Sequence, residues 1–285
     1  MKLRLLGVIL SGAALAACSS QETVAGPDNN GVSPIVFPGG ENSPPTVEIS
    51  SPTDGQLFAF TSSAGAPVNL VATLADPDPA DTHTCSIDWE GATSDGVVDE
   101  ADGTGTCSGS YLYSTPGVYT IAVTVTDPFG ETATDSVMIV VYDPSGGFVT
   151  GGGWIDAAAG SYPANPELSG KATFGFVAKY KKGANVPDGN TEFQFHAAGM
   201  NFHSSAYDWL VVAGSRAQYK GTGSVNGVDG YQFMLTAIDG GKNSADRLRM
   251  RIWSSGGVVF DNQLGDDENA DPSTYLSGGN IVIHK

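Results

Sequence analysis

Between Cys85 and Cys107 the chain reads CSIDWEGATSDGVVDEADGTGTC, and five carboxylates (Glu90, Asp95, Asp99, Glu100, Asp102) crowd the span from Glu90 to Asp102. Acids this dense are the raw material of a calcium loop, because a hard cation takes oxygen ligands. On an EF-hand template, Asp95, Gly96, Asp99 and Asp102 would fill positions 5, 6, 9 and 12. Position 1 would then be Gly91, which carries no ligand, and the last ligand would be a short Asp. Helices should flank such a loop, yet the flanking residues alternate like strands. The preferred reading is an acidic hairpin closed by a disulfide.

Other chemistry is sparse. There is no Gly-x-Ser-x-Gly elbow, no Walker A sequence and no His-Glu-x-x-His. His196 and His203, with Asp208 nearby, are metal-ligand types, but His196 sits in an alternating run and reads as a packed or surface side chain. Asp266-Asp267-Glu268 lies in a polar, turn-rich stretch and reads as a solvated loop rather than a glycosidase pair. A non-catalytic protein is expected. Trp154, Trp209 and Trp253 are the candidate ligand-binding residues, because aromatic faces stack on sugars. In 248–253, Leu248, Met250 and Ile252 share one face; Arg249, Arg251 and Trp253 share the other with Arg247. That second face should meet solvent or a partner.

Charge divides the chain. Residues 18–146 hold 18 Asp and Glu and no Lys or Arg, whereas residues 147–285 hold 13 acids and 11 bases. The first segment would repel a phosphate backbone and the second has no basic stripe, so nucleic acid is excluded as a partner.

The chain opens MKLRLLGVILSGAALAAC, a short basic start and an apolar run too short to span a bilayer comfortably. Leu15-Ala16-Ala17-Cys18 resembles the lipobox of bacterial lipoproteins; an ordinary cleaved signal peptide is the alternative. The resemblance implies a signal peptide over 1–17 and lipidation of Cys18. Ser19, by the same resemblance, implies export to the outer membrane or cell surface, with the lipid as the membrane anchor. With Cys18 lipidated, Cys85 and Cys107 remain as a pair, and an exported location permits their disulfide; two free buried thiols are the alternative. Residues 18–45 are rich in Pro, Gly, Ser and Asn and read as a disordered tether.

The elements that must carry these residues are strands. From residue 46 to 143, runs such as PVNLVATLAD and GVYTIAVTVTD alternate with period two and are separated by turn residues. About seven short strands in this length suggest an Ig-like sandwich. YLYSTPGVYTIAVTVTDPFGETATDSVMIVVYD closely resembles the second half of a PKD domain, NSPPTVEIS its start, and SIDWEG the strand with the family's tryptophan. The family's Trp-Asp-Phe-Gly-Asp-Gly run is not intact: Trp89 is followed by Glu90-Gly91 and a longer loop. The resemblance implies Ca²⁺ as the cofactor to look for, at Asn42, Ser43, Asp76, Asp78 and Asp127.

Residues 147–285 are again β, with hairpin signals at Asn226-Gly227 and Asp239-Gly240. The expectation is all-β: an Ig-like PKD β-sandwich followed by a second β-sandwich or jelly-roll-like domain. The second unit resembles an uncharacterised C-terminal module of secreted multidomain bacterial proteins, from which no activity carries over. Functionally, the expectation is a surface lipoprotein whose PKD spacer presents a C-terminal module for binding or adhesion to an extracellular protein or polysaccharide. The alternative is a carbohydrate-binding accessory of a polysaccharide-degrading system.

Overall fold

Alternation dictates the strands. In Ala66–Ala75, Ala66, Val68, Leu70, Ala72 and Leu74 are buried and every residue between them is exposed. A computed structural model describes residues 42–242 and 244–285. The leader 1–17, Cys18 and most of the 18–45 tether lie outside the described residues. Residues 42–45 do not behave as tether. Asn42 donates to Asp127 at 2.6 Å, the Ser43 N–H donates to Asp78 at 2.8 Å, and Pro45 is buried.

The first half contains β1 (Thr46–Ser51), β2 (Gln56–Ala59), β3 (Ala66–Ala75), β4 (Thr84–Asp88), β5 (Thr93–Asp95), β6 (Val97–Ala101), β7 (Thr104–Tyr113), β8 (Gly117–Thr126) and β9 (Thr132–Tyr142). They build two sheets, ordered β1-β3-β7-β6 and β2-β9-β8-β4-β5. Leu70, Ile87, Trp89, Ile121 and Ile139 fill the core between them.

The inter-cysteine segment supplies two strands more than the seven expected. It is not one hairpin: β5 pairs with β4 in one sheet and β6 pairs with β7 in the other. The Cys85–Cys107 bridge, with Cα atoms 6.2 Å apart, therefore joins the two sheets rather than neighbouring strands. Gly96 is where the chain crosses, and a Cβ there would collide with both sulfurs. Trp89 packs at full burial against Tyr111, ring centroids 5.5 Å apart, with its carbonyl accepting the Tyr113 hydroxyl at 3.0 Å.

The second half contains β10 (Phe148–Ala157), β11 (Gly170–Tyr180), β12 (Pro187–Phe195), β13 (Met200–Ala213), β14 (Arg216–Val225), β15 (Val228–Ile238), β16 (Arg247–Ser254), β17 (Gly257–Asp261) and β18 (Gly278–His284). All nine join one antiparallel sheet in which β10 to β17 are sequential neighbours and β18 returns to pair with β10. The expected sandwich or jelly roll thus resolves into a single rolled meander. Rolling is visible in rings from distant strands: Phe193 of β12 and Phe260 of β17 are 4.8 Å apart, and Phe176 of β11 and Tyr219 of β14 are 6.0 Å apart. Each fully buried Phe contributes about 2–3 kcal/mol of transfer free energy to closing this roll.

A third buried cluster joins the halves. Val118, Val140 and Tyr142 from β8 and β9 pack on Trp209, Val211 and Met234 from β13 and β15. Residues 41–285 accordingly form one compact unit. No helix among the described residues is long and apolar enough to cross a membrane.

Candidate functional site: an acidic pole and an inter-unit groove

The β3–β4 connection carries Asp76, Asp78 and Asp81, each of which places a carboxylate oxygen within 4.8 Å of the others. Asp127, at the β8–β9 turn, joins them from the other sheet. Four of the five residues expected around calcium are tied together by hydrogen bonds: Asn42 to Asp127, and Ser43 to Asp78. The fifth, Asp76, accepts the Asp78 N–H at 2.7 Å. Asp81 was missed, although its place in Asp-Pro-Asp-Pro-Ala-Asp made it visible. Behind the pole His83 is clamped, Nε2 to Asp76 at 2.9 Å and Nδ1 to Glu100 at 2.7 Å.

The pole is short of positive charge. Asp81 Oδ2 is buried without a hydrogen-bond partner. Burial, then the carboxylates of Asp76, Asp78 and Asp127, push the Asp81 pKa above the usual carboxylate range, with His83 opposing. Burial pushes His83 down, but its bonds to Asp76 and Glu100 outweigh this and its net shift is upward. Burial opposes the charge on Asp127 too, yet Asn42 and the N–H groups of Glu131, Phe129 and Gly130 hold its pKa below the usual range. An all-oxygen donor set with an orphaned buried oxygen fits a hard cation. The acids of the inter-cysteine loop do not converge in this way: Glu100 is spent on His83, Glu90 accepts the Thr120 N–H, and Asp95, Asp99 and Asp102 are exposed.

The tryptophans have separate fates. Trp209 is 2 % exposed beneath β8 and β9, so it has no free face, and its assignment as a ligand-binding residue is corrected. Its strand alternates, and the outward face it lies on is covered by the first unit. Trp154 lies on the uncovered side of the roll. Gly278 leaves room for its indole, and Lys171 Nζ sits 4.8 Å from its ring. Beside it, Thr173, Phe174, Gly175, Glu192 and Gln194 line a depression of about 220 Å³.

Trp253 is half-buried in a groove of about 290 Å³ between the two units. One wall is Asp54, Thr120 and Met138 of the first unit; the other is Lys220, Arg251 and Trp253 with loop residues Asp267, Glu268 and Asn269. Lys220 and Arg251 lie 5.6 and 5.1 Å from the Trp253 ring, and Arg251 pairs with Glu268 at 2.6 Å. The Arg-rich face expected to meet solvent or a partner is covered from within the chain. Arg249 is 2 % exposed and bonds both oxygens of Asp261 at 3.1 and 2.9 Å. It also donates to the carbonyls of Gln263, Asp266, Asp267 and Glu268. One guanidinium thus shapes the loop that carries half of that wall. Asp266-Asp267-Glu268 is therefore a held loop beside the groove rather than a freely solvated one. His196 meets Thr173 at 3.2 Å and His203 meets Glu192 at 3.7 Å; the two do not share a site.

Residues 58–140 match the family model of the PKD domain. No curated protein matches the chain. A solved structure concerned with the promiscuous specificity of carbohydrate-binding modules from the β-sandwich superfamily is 16 % identical. The similarity covers 86 % of this chain and 93 % of that one, at a TM-score of 0.28. The first half of this all-β protein is thus an Ig-like sandwich matching the PKD domain, followed by a nine-stranded rolled sheet.

Proposed function

We propose that this chain is a non-catalytic, exported binding protein, lipid-anchored through Cys18 at the outer membrane or cell surface, that takes a saccharide in the groove around Trp253. The observation that carries this reading is the composition of the groove. An accessible indole stands among carboxylates, a guanidinium, an ammonium and an amide, the groups that bind vicinal hydroxyls while a ring face stacks. Trp154 and its polar depression offer a second contact for a longer chain. Titration of the whole exported chain with soluble oligosaccharide hexamers tests the reading, and Trp253→Ala is expected to cost at least about tenfold in affinity. Undiminished binding by that variant, with an intact thermal transition, would remove the groove from the function; binding only to an extracellular protein would replace the saccharide.

Asp81 Oδ2, buried without a partner, favours a second reading: the acidic pole binds Ca²⁺ through Asp76, Asp78, Asp81 and Asp127, with Asn42 and Ser43 alongside. The ion would stiffen the sandwich. Calorimetry with calcium against magnesium checks this, and heat from neither would end it.

A further inference from the structure

We infer that the PKD-type sandwich is half of the saccharide site rather than its spacer, with Asp54 and Thr120 contacting the ligand directly. This rests on the saccharide reading of the groove and assigns it a second wall. Asp54 stands in the turn between β1 and β2, and that turn is clamped. The Gly55 N–H donates to the Met138 carbonyl at 2.8 Å, Thr53 N–H donates to Gln56 at 3.0 Å, and Asp54 Oδ1 accepts the Met138 N–H at 3.2 Å. Asp54 Oδ2 makes no hydrogen bond among the described residues, and neither does the exposed Thr120 hydroxyl.

The walls cannot drift apart freely. Thr120 lies two residues from Val118 on β8, and Met138 two from Val140 on β9, so each shares a strand face with a residue of the buried cluster. The same faces that dock the units therefore line the groove, and widening it would expose Trp209 and Met234 to water. Across the groove, Asn269 is held by Gln218 at 3.3 Å and its carbonyl by Arg216 at 3.0 Å. Both walls are set before a ligand arrives, which lowers the ordering cost of binding.

Charge selects the ligand class. The groove contains three carboxylates against two cations, and Arg251 is already paired with Glu268. An anionic sugar would meet repulsion from Asp54, Asp267 and Glu268; a neutral, hydroxyl-rich chain would donate to them.

The test is titration of the whole exported chain with neutral hexamers (β-glucan, xylan, mannan) and acidic ones (galacturonan, alginate). Asp54→Asn is expected to weaken neutral-chain binding about tenfold, as for loss of a hydrogen bond to a charged group. Thr120→Arg, which fills the groove from the sandwich side, should abolish binding, and Asp99→Asn on the same sandwich should leave it unchanged. If Trp253→Ala loses binding while Asp54→Asn and Thr120→Arg stay within about twofold of wild type, the sandwich is only a spacer and the inference falls while the saccharide reading stands. Preference for the acidic hexamers overturns the ligand class. Failure of wild type to bind any hexamer overturns the saccharide reading and this inference with it.

Discussion

The acidic pole and the groove both concentrate charge, but in opposite ways. At the pole Asp76, Asp78 and Asp81 converge, with the charge of Asp127 bearing on Asp81 and His83 bonded to Asp76, and one buried oxygen is left unpaired. Around the groove the arginines have opposites: buried Arg249 with Asp261, and the part-exposed Arg251 with Glu268 and Arg216 with Asp271. A region rich in like charge leaves that charge uncompensated from within the chain. A region of matched charge is complete, and its leftover hydrogen-bonding capacity faces the groove. The pole should therefore respond to ions and pH, and the groove region to the loss of partners.

The largest expected effect lies on the matched side. Arg249→Met leaves buried Asp261 with only the long 3.9 Å ion-pair contact to Arg251 and releases four loop carbonyls, so it should destabilise by about 3–5 kcal/mol. A chain of this size should then melt roughly 6–20 °C lower. Adding Asp261→Asn should recover part of the loss. A melting point unchanged by Arg249→Met would show that the pair is not what holds the loop, and would break the comparison at its firmer end.

Next comes the ion. At a calcium concentration about tenfold above the dissociation constant, binding should stabilise by about 1.4 kcal/mol and raise the melting temperature by a few degrees. Asp81→Ala should remove the rise and Asp99→Ala should keep it. Loss of the rise in Asp99→Ala instead would put the ion in the inter-cysteine loop.

A smaller effect is expected from pH, measured in chelator. The folded-state pKa values of Asp81 and His83 both lie above their ordinary values. Each group therefore contributes stability below its ordinary pKa, about 3.9 for Asp and 6.5 for His, and loses it as pH rises through the folded value. Asp127 is depressed and works in the other sense, losing its contribution only as pH falls below the ordinary carboxylate range. Through His83 the melting temperature should thus decline from about pH 6 to pH 8. A curve that rises over this interval would contradict the clamped His83.

The smallest effect is at the surface. Lys181 and Asp188 pair at 2.6 Å, but their side chains are 66 % and 51 % exposed. Lys181→Ala should change stability by less than about 1 kcal/mol, and added salt should erase the difference. A larger loss would mean that matched charge matters here even in water.

What the sequence determined by itself was local. Period-two alternation identified the strands, because on a pleated chain each side chain's face follows from its neighbours alone. Turn residues separated those strands, and the paired cysteines and three of the pole's acids were legible in the same way. What only the tertiary structure decided was what covers each outward face. Arg249 and Trp253 read as outward on their strand, and Trp209 read as a candidate for stacking on a ligand; all three lie on outward faces. Arg249 is covered by its own loop, Trp209 by the sandwich, and Trp253 opens onto a groove. The same limit hid Asp54 and Thr120, more than a hundred residues from Trp253 in the chain. Alternation tells a side chain which way to point; whether water or another unit lies above that face depends on packing between segments that carry no mark of one another.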